Sequence, residues 1–576
     1  MKNLVLAAFA ALATAATTPV ALAQTTCPAA PAPIVVAAQD ITTNTTWTRN
    51  NIYLLNGFVY VNAGATLTIE AGTLIKGDLT NKGSLIIRQG ARLIAAGTAA
   101  QPIVFTSNQP AGLRAPGDWG GLIVCGRAPV NLPGNPTIEG GVVANFGGTD
   151  PLDNSGVLQY IRIEYPGVAF LPNNEINGLT LGGVGAGTTI DHIQVTGSGD
   201  DSFEWFGGTV NAKYLIALGG TDDDFDTDNG FSGRVQYGLA IRDPRRGDIA
   251  TGGVSNGFES DNDATGTTNG PKTLAVFSNT TLILPTALPA AAPFANADGA
   301  LIRRNSAQSV FNSVFAGRPN GLTLNSNSVN LTTDNANTGL LGFENNVLAG
   351  YGTRRTGRVT TNSGTTAGFS ILRFVGSTND TTRTVAALNL PAGTFAFEGD
   401  CGASAACTPV LGLPAGSLLT SGAAFTNAKL LGNGTGLSNN TFDVVNFRGA
   451  FGPVGTPAGD WANGWSNFNP QLTCYNRPGQ TLANRDVVNQ PLENLAVAPN
   501  PSAGAALLQV DLNTATTATV TVVDALGRAV AVVLTNGKLA AGPHALALPA
   551  TLPNGVYLAR VTTAEATQTV RFVVSK

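Results

Sequence analysis

The chain has 576 residues, a formal net charge of −4 and only 12% charged residues. This balance provides no basic surface that would attract a nucleic-acid backbone. Glycine is abundant, with 70 residues, which suits short strands joined by tight turns. A chain of this length would ordinarily form several domains, but a repeat architecture removes that limit because each repeat packs only on its neighbours.

The N-terminus has the features of an export signal. Lys2 precedes an apolar run over residues 4–12, and an Ala-Leu-Ala motif ends at Ala23. We therefore predict that residues 1–23 are a signal peptide that is removed on export. No later stretch is apolar for long enough to cross a bilayer as a helix. The sequence thus predicts an exported, soluble protein.

Five cysteines are an odd number for a protein of an oxidising compartment. Cys401 and Cys407 bracket a short loop and are candidates for a local disulfide. Cys125 lies in the apolar run LIVCG and is predicted to be a buried thiol. Cys27 and Cys474 either pair with each other or stay free, and the sequence leaves both outcomes open.

From residue 50 to residue 263 the chain repeats short β-branched runs that end at Gly, Asn or Pro. GATLTIEAGT, which starts at Gly64, aligns with GARLIAAGT, which starts at Gly90, at an offset of 26 residues. The runs lack hairpin dipeptides, and no window has a sustained helical period. This pattern predicts few helices and a parallel β solenoid whose coils are clearest over residues 50–263.

Two acidic segments repeat at an offset of 22 residues, which is about one coil of such a solenoid. They read GSGDDSFEWFGG and GGTDDDFDTDNG. The aligned pairs are Gly197 with Gly219, Asp200 with Asp222, Asp201 with Asp223, Phe203 with Phe225, Glu204 with Asp226, and Gly208 with Gly230. Stacked coils would place these carboxylates in rows, about 4.8 Å apart, on one wall.

These motifs resemble secreted right-handed parallel β-helix proteins of the Bacteroidota. The resemblance rests on GATLTIEAGTLIKG, on the PIVFTS and GDWGGL strands and on the paired acidic segments, and it covers roughly residues 40–480. It implies an all-β fold with a right-handed parallel β-helix, to which we assign residues 24–488. Long loops are expected to leave the coils between about residues 265 and 480.

A composition shift near Pro491 marks a second domain, residues 489–576. Its alternating strands predict a small β-sandwich of about 80 residues. The segment resembles the C-terminal sorting domain of the type IX secretion system. The matching positions are Pro499, Asn500, Pro501, Asp524, Gly527, Gly555, Tyr557 and Lys576. The resemblance implies recognition by the type IX secretion machinery, passage across the outer membrane and removal of this domain. The protein would then be released or attached to cell-surface lipopolysaccharide.

Successive side chains of an extended strand point to opposite faces, so each acidic residue can be assigned to the inner or the outer face. One face carries the aromatic residues Phe203, Trp205 and Phe225, which mark it as the interior, and Asp223 is expected on the same side. The opposite, outward face is predicted to carry Asp200, Glu204, Asp222, Asp224, Asp226 and Asp228.

Such a row of carboxylates predicts a cation site. Two carboxylates about 5 Å apart repel by roughly 3 kcal/mol at an effective dielectric of 20, so the row raises pKa values or recruits an ion. Ca²⁺ suits it, because this hard ion takes several oxygen ligands in variable geometry. We expect Glu259 and Asp261 of a third coil to join the outward set, and Phe343–Glu344 and Phe397–Glu398 to mark the same wall in later coils. A solvated acidic face is the alternative.

An EF-hand loop does not fit the acidic segment. If Asp224 were its first position, Asn229 would be the sixth and Val235 the twelfth, where the loop needs Gly and Glu. Any ion site here therefore belongs to the stacked coils.

The same residues also allow an enzyme. Parallel β-helices often carry polysaccharide hydrolases or lyases, and Gly-Asp-Asp resembles the paired aspartates of polygalacturonases, which can protonate a leaving oxygen and activate water. The candidate catalytic residues are Asp200, Asp201 and Asp223. The Gly-His-Gly and Arg-x-Lys segments of those enzymes have no counterpart after Asp201. A lyase would need an arginine base, for which the candidates are Arg242, Arg245 and Arg246. The sequence favours a binding, structural or adhesive role, with an extracellular glycan as an open partner.

His192 is the single histidine of the solenoid region, which excludes a multi-histidine zinc site there. It occupies the position that Tyr214 takes one coil later, so we predict a stacked structural residue. Trp461 and Trp465 either cap the last coil or contact a glycan.

Overall fold

The protein is described by a computed structural model. It covers residues 27–576 except 172–173, 249–252, 285–296, 327–328, 352–354, 362–363, 377, 392–408, 432–441, 480–491, 513–514, 525–527 and 564–566. The predicted signal peptide, Cys401, Cys407 and Phe397–Glu398 lie outside the described residues.

Short strands form most of the first part of the chain. They are β1 (Ile34–Ile41), β2 (Thr45–Trp47), β3 (Ile52–Val61), β4 (Thr66–Ile69), β5 (Leu74–Gly77), β6 (Ser84–Ile87), β7 (Arg92–Ala96), β8 (Ile103–Ser107), β9 (Leu122–Cys125), β10 (Gly156–Glu164), β11 (Ala169–Leu171), β12 (Asn174–Glu175), β13 (Leu179–Gly182), β14 (Thr189–Thr196), β15 (Phe203–Phe206), β16 (Ala212–Leu218), β17 (Phe225–Asp228), β18 (Arg234–Ile241), β19 (Phe258–Ser260), β20 (Val276–Ile283), β21 (Asp298–Arg303), β22 (Ser309–Phe311), β23 (Val314–Ala316), β24 (Asn320–Asn325), β25 (Phe343–Glu344), β26 (Val347–Ala349) and β27 (Arg355–Thr360).

Strands of successive coils pair in parallel, which confirms the parallel β-helix. Leu67 pairs with Leu93, at the predicted offset of 26 residues, and Phe203 pairs with Phe225, at the predicted offset of 22. Three rows of strands run along the solenoid. One of them, which we call the acidic sheet, includes β6, β9, β13, β15, β17, β19, β21, β24 and β27.

The long strands turn a corner at a residue in the left-handed region. β10 pairs with β7 before Tyr160 and with β8 after it. The φ angles are +49° at Tyr160, +55° at His192, +60° at Tyr214 and +64° at Tyr237, conformations that residues with side chains seldom adopt. The His192 ring lies 4.3 Å from each tyrosine ring beside it, and Tyr214 and Tyr237 are 4.9 Å apart. The predicted structural role of His192 as a stacked residue is confirmed.

Aromatic side chains fill the interior beneath the acidic sheet. The rings of Phe203, Phe225 and Phe258 stack at successive centroid distances of 5.6 Å. Trp205 is fully buried and stacks on Phe231 at 5.4 Å. Because the inward positions are apolar, the alternate positions of these strands face outward.

The last named strand of the described solenoid is β27, and an isolated parallel bridge between Val347 and Asp380 follows it. The described parts of residues 378–479, which we call the returning segment, lie along the outside of the helix. They include α3 (Pro457–Asp460) and the 3-10 helices Ala386–Leu388, Leu418–Thr420 and Pro470–Leu472. Two further short helices, α1 (Thr332–Asn337) and α2 (Ile371–Gly376), precede this returning segment. In the described part of the chain, no helix is long and apolar enough to cross a membrane.

Apolar packing explains why the returning segment lies there. The outward side chains of Ile216, Tyr237 and Val314 form one buried cluster with Phe451 and Trp465. The Trp465 ring lies 5.6 Å from the His192 ring, and the Trp461 ring lies 5.3 Å from the Tyr214 ring. Both tryptophans therefore cover the stacked rings at the corner of the long strands. Neither of the two expected roles, capping the last coil or contacting a glycan, describes this position.

A disulfide between Cys27 and Cys474 fixes the end of the returning segment to the start of the helix. The sequence had left this pairing open. Next to it, the Tyr475 hydroxyl donates to Glu164 Oε1 at 2.6 Å, and Asn476 Nδ2 donates to the Pro28 carbonyl at 2.8 Å. Cys125 is a buried free thiol, as predicted.

The C-terminal region is a small β-sandwich, as predicted. One antiparallel sheet contains β28 (Leu492–Ala498), β29 (Ala506–Leu512) and β32 (Gly542–Leu548); the other contains β30 (Thr516–Asp524), β31 (Ala529–Leu539), β33 (Gly555–Thr563) and β34 (Thr567–Val574). Leu508 and Val510 of the first sheet share an apolar cluster with Val520 and Val561 of the second.

Candidate functional site

Three neighbouring strands of the acidic sheet carry the core of the site. Glu204 of β15 pairs with Asp226 of β17, and Asp226 pairs with Glu259 of β19. Phe225 and Thr227 are fully buried, whereas Asp226 and Asp228 are half-buried on the outer face. The alternation predicted for this strand is confirmed from Phe225 onward.

Glycines at equivalent positions form the turns on either side of the strand in both acidic segments. Gly197 and Gly219 have φ angles of +61° and +62°, and Gly208 and Gly230 both have +89°. A side chain would strain the backbone at these angles. The repeated glycines therefore give both coils the same turn before and after the strand, which explains why the acidic segments superpose.

Ligand oxygens converge in three overlapping groups. The groups are Asp200, Asp201 and Asp222; Asp201, Glu204 and Asp226; and Asp223, Asp226 and Glu259. Within each group, one carboxylate oxygen from every residue lies within 4.8 Å of the others. Asp201 and Asp226 each belong to two groups, so the seven residues form one continuous array, which we call the carboxylate cluster.

Asp223 belongs to the carboxylate cluster, contrary to the expectation that it points inward. Its backbone N–H donates to Asp201 Oδ1 at 2.7 Å, and its own Oδ1 accepts from the N–H of Asn256. The expectation was wrong because β17 begins only at Phe225. Residues 222–224 form the corner before the strand, where the two-residue period does not hold.

Asp224 is the second exception, and its predicted outward position is wrong. Its side chain is fully buried, with Oδ1 at 3.0 Å from Arg242 Nε and Oδ2 at 2.6 Å from Arg318 Nη2. Two guanidinium groups thus take the place of a metal ion at this carboxylate. Arg242 is equally buried, which removes it as a lyase base.

Other predicted residues lie beside the cluster. Asp228 Oδ1 accepts from the N–H of Asn229. Asp261 is paired with Arg303 Nε at 2.9 Å and with Arg304 Nη1 at 2.6 Å. Among the described carboxylates, the convergent groups include neither of these aspartates.

The remaining arginine candidates pair with Asp243, and the second Phe-Glu pair lies in another row of strands. Arg245 Nε lies 2.8 Å from Asp243 Oδ1, and Arg246 Nε lies 3.7 Å from Asp243 Oδ2. The segment Phe343–Glu344 pairs with β22 rather than with a strand of the acidic sheet. The expectation that it continues the acidic wall is therefore wrong.

Burial is the main cause of the raised pKa values in the cluster, and repulsion between carboxylates adds to it. The pKa of Asp223 is raised from 3.8 to about 8, and that of neighbouring Asp228 to about 7. The pKa values of the other cluster members are raised well above their ordinary range, namely those of Asp200, Asp201, Glu204, Asp222, Asp226 and Glu259. The cluster therefore holds protons near neutral pH unless a cation replaces them.

Asn177, which lies at the N-terminal end of the cluster, was not among the residues predicted from the sequence. Its Nδ2 donates to Glu204 Oε2 and, at 3.0 Å, to Glu139 Oε1. Among the described residues, the buried Asn177 Oδ1 and Asp226 Oδ1 have no hydrogen-bond partner. Leu179 pairs with Phe203, so Asn177 occupies the position of Asp201 one coil earlier. The register of the coils could therefore have identified Asn177.

Two arginines at the other end of the cluster were also not predicted from the sequence. Arg303 contacts Glu259 and Asp261, and Arg318 contacts Asp224 from 94 residues along the chain. No local motif marks either arginine, since each contact depends on how many residues the intervening coils contain.

Two family models match the chain. Residues 39–388 match the model described as a pectate-lyase-like beta-helix domain, and residues 496–575 match the secretion system C-terminal sorting domain. A search of the curated proteins finds no match. The C-terminal match indicates secretion or attachment at the cell surface, and it implies interaction with the type IX secretion machinery.

Proposed function

The chain belongs to the pectate-lyase-like beta-helix family, and we propose that this exported protein binds Ca²⁺ at the carboxylate cluster in a structural or adhesive role outside the cell. The observation that carries the proposal is that carboxylate oxygens of two successive coils converge within 4.8 Å in each of three overlapping groups. Ca²⁺ binds oxygens at 2.3–2.6 Å, so two ligands of one ion lie at most about 5 Å apart. The spacing of the cluster fits such an ion.

The group formed by Asp201, Glu204 and Asp226 is the best position for the ion. The group that contains Glu259 is already partly neutralised, because Arg303 contacts that carboxylate. In the preferred group, Asp226 Oδ1 is buried without a hydrogen-bond partner among the described residues, and so is the nearby oxygen of Asn177. Carboxylate and amide oxygens are the ligands that Ca²⁺ takes in proteins.

An ion at this position would join neighbouring coils. Glu204 and Asp226 belong to successive strands, and without an ion their charges repel each other. A ligand that binds only the folded state stabilises it in proportion to the logarithm of its concentration. The expected role is therefore to lock the coils of a secreted solenoid together in an extracellular medium that contains calcium.

Melting of the purified protein tests this proposal. We expect Ca²⁺ added to chelator-treated protein to raise the melting temperature by several degrees, and Mg²⁺ to do so less, since Mg²⁺ demands a tight octahedral site. The variant Asp40→Asn should show the same rise with Ca²⁺, because Asp40 makes an exposed ion pair with Arg88 outside the cluster. A melting temperature that does not depend on Ca²⁺ contradicts the proposal.

A polysaccharide lyase or hydrolase is the second candidate. The favouring observation is Arg303, whose side chain is 25% exposed at the edge of the cluster and contacts Glu259 and Asp261. A cationic group beside paired carboxylates would suit an acidic glycan. Incubation with acidic polysaccharides tests this candidate: product release that Asp201→Asn abolishes supports it, and the absence of products from uronate-rich and sulfated glycans counts against it.

A further inference from the structure

A fully buried ion triad lies next to the carboxylate cluster. Asp224, Arg242 and Arg318 have no exposed surface. Asp224 Oδ2 accepts from Arg318 Nη2, and its Oδ1 forms an ion pair with Arg242 at 3.0 Å from Nε. Withdrawing three charges from water is costly unless further hydrogen bonds complete their surroundings. The other hydrogen bonds of the two arginines therefore identify the part of the chain that the triad holds in place.

Both arginines bind the same backbone segment. Arg242 Nη2 donates to the Asn256 carbonyl at 2.6 Å, and Arg318 Nη1 donates to the Ser255 carbonyl at 3.0 Å. Arg242 Nη1 also donates to the Gly220 carbonyl at 3.0 Å. The triad thus joins residues 255–256 of one coil to the acidic corner of the coil before it.

Asn256 connects the ion triad to the carboxylate cluster. Its N–H donates to Asp223 Oδ1, and its Nδ2 lies 3.4 Å from Glu259 Oε2. Its own Oδ1 accepts from the N–H of Asp298 at 3.0 Å. Asn256 is fully buried, so it offers these two carboxylates a fixed partner.

We propose that Arg318 and Arg242 are positioning residues of the carboxylate cluster: they hold Asn256, and Asn256 aims Asp223 and Glu259. The inference rests on the proposed cation site but concerns residues that touch no cation. Groups that orient the ligands of a metal typically contribute 10–100-fold to its affinity. Lysine cannot replace Arg318, because its single ammonium group cannot reach Asp224 and the Ser255 carbonyl in the planar geometry of a guanidinium.

Calorimetric Ca²⁺ titration of the full chain, well below its melting temperature, tests the inference. We expect Arg318→Lys and Arg318→Met to bind about 10–100-fold more weakly than the wild type. The control Arg383→Met, which breaks a surface ion pair with Asp380, should bind normally. A purely structural role would lower the melting temperature of the variants and leave the affinity of the folded protein unchanged. Unchanged affinity in both Arg318 variants overturns the inference. Tighter binding by Arg318→Met with normal binding by Arg318→Lys also overturns it, because charge rather than position would then matter.

Two further measurements keep the inference testable. If Arg318→Met does not fold, Arg242→Lys is the second variant, since it loses the bond to the Asn256 carbonyl, and its affinity should fall similarly. Hydrogen exchange of the Asn256 amide should be at least about 10-fold faster in Arg318→Lys than in the wild type. If the wild type gives no heat with Ca²⁺, the proposed function fails, and this exchange rate alone decides the positioning inference: an unchanged rate contradicts it.

Discussion

Glu204 and Asp226 pair in parallel register on adjacent strands, with a carboxylate oxygen of each in the same 4.8 Å group. The solenoid therefore turns a 22-residue repeat in the sequence into neighbouring carboxylates in space. Each further acidic coil extends the array, as Glu259 does beside Asp226. An array of this kind costs free energy unless protons or a cation neutralise it.

The raised pKa values predict how stability without a cation depends on pH. The pKa of Asp223 rises from 3.8 in the unfolded chain to about 8, and that of Asp228 to about 7. Such groups stabilise the fold fully below pH 3.8, and this contribution is lost as the pH rises through the folded pKa values. In chelator we therefore expect the free energy of unfolding, measured in urea, to fall between about pH 4 and pH 8.

Saturating Ca²⁺ should weaken or reverse that fall, since the ion replaces the protons that the cluster loses. The same urea series repeated with Ca²⁺ provides the comparison. A protein whose stability in chelator rises steadily with pH over this range would contradict the proposed electrostatics.

The variant Asp224→Asn tests whether Asp224 stabilises the fold rather than binding a cation. Removing this charge leaves Arg242 and Arg318 buried without a counter-ion, which typically costs about 3–5 kcal/mol. Urea unfolding in chelator measures the loss. Asp443→Asn is the control, because the exposed Lys213–Asp443 pair is worth at most about 1 kcal/mol. Equal small losses in both variants would show that the triad does not stabilise the fold.

The disulfide between Cys27 and Cys474 is expected to stabilise the returning segment against the helix. Cys474→Ser should lower the free energy of unfolding by about 2–5 kcal/mol. Cys27→Ser should cost the same, and the double variant should cost no more than either single one, because one bond is lost in each case. Denaturant unfolding of the three variants checks this, and additive losses would contradict it.

The sequence predicts the repeating parts of this molecule better than the parts that depend on coil length. The glycine-bracketed repeat correctly placed Glu204 beside Asp226 and buried Phe225. It failed at Asp223 and Asp224, because those residues lie in a corner where strand alternation ends. Arg318 reaches Asp224 across coils of unequal length, since Phe203 and Phe225 pair at 22 residues and Phe225 and Phe258 at 33. No short-range pattern encodes such a contact.

The C-terminal part of the solenoid region shows the same limit. The strand pattern is hard to follow in the sequence after residue 265, yet the coils continue through β20–β27 to Thr360. The sequence did not indicate that the returning segment packs along the helix. That path depends on outward apolar residues such as Ile216 and Tyr237, which pack against Phe451 and Trp465. In the sequence, outward and inward apolar residues look alike.

Calorimetric titration of the wild type and Asp226→Asn with Ca²⁺ tests the central claim most directly. Asp226 belongs to two of the three convergent groups, so its substitution removes a shared ligand while relieving repulsion. The account predicts saturable Ca²⁺ binding by the wild type, loss of that binding in Asp226→Asn, and a melting temperature of this variant in chelator at or above that of the wild type. No binding by the wild type, or undiminished binding by Asp226→Asn, would contradict it.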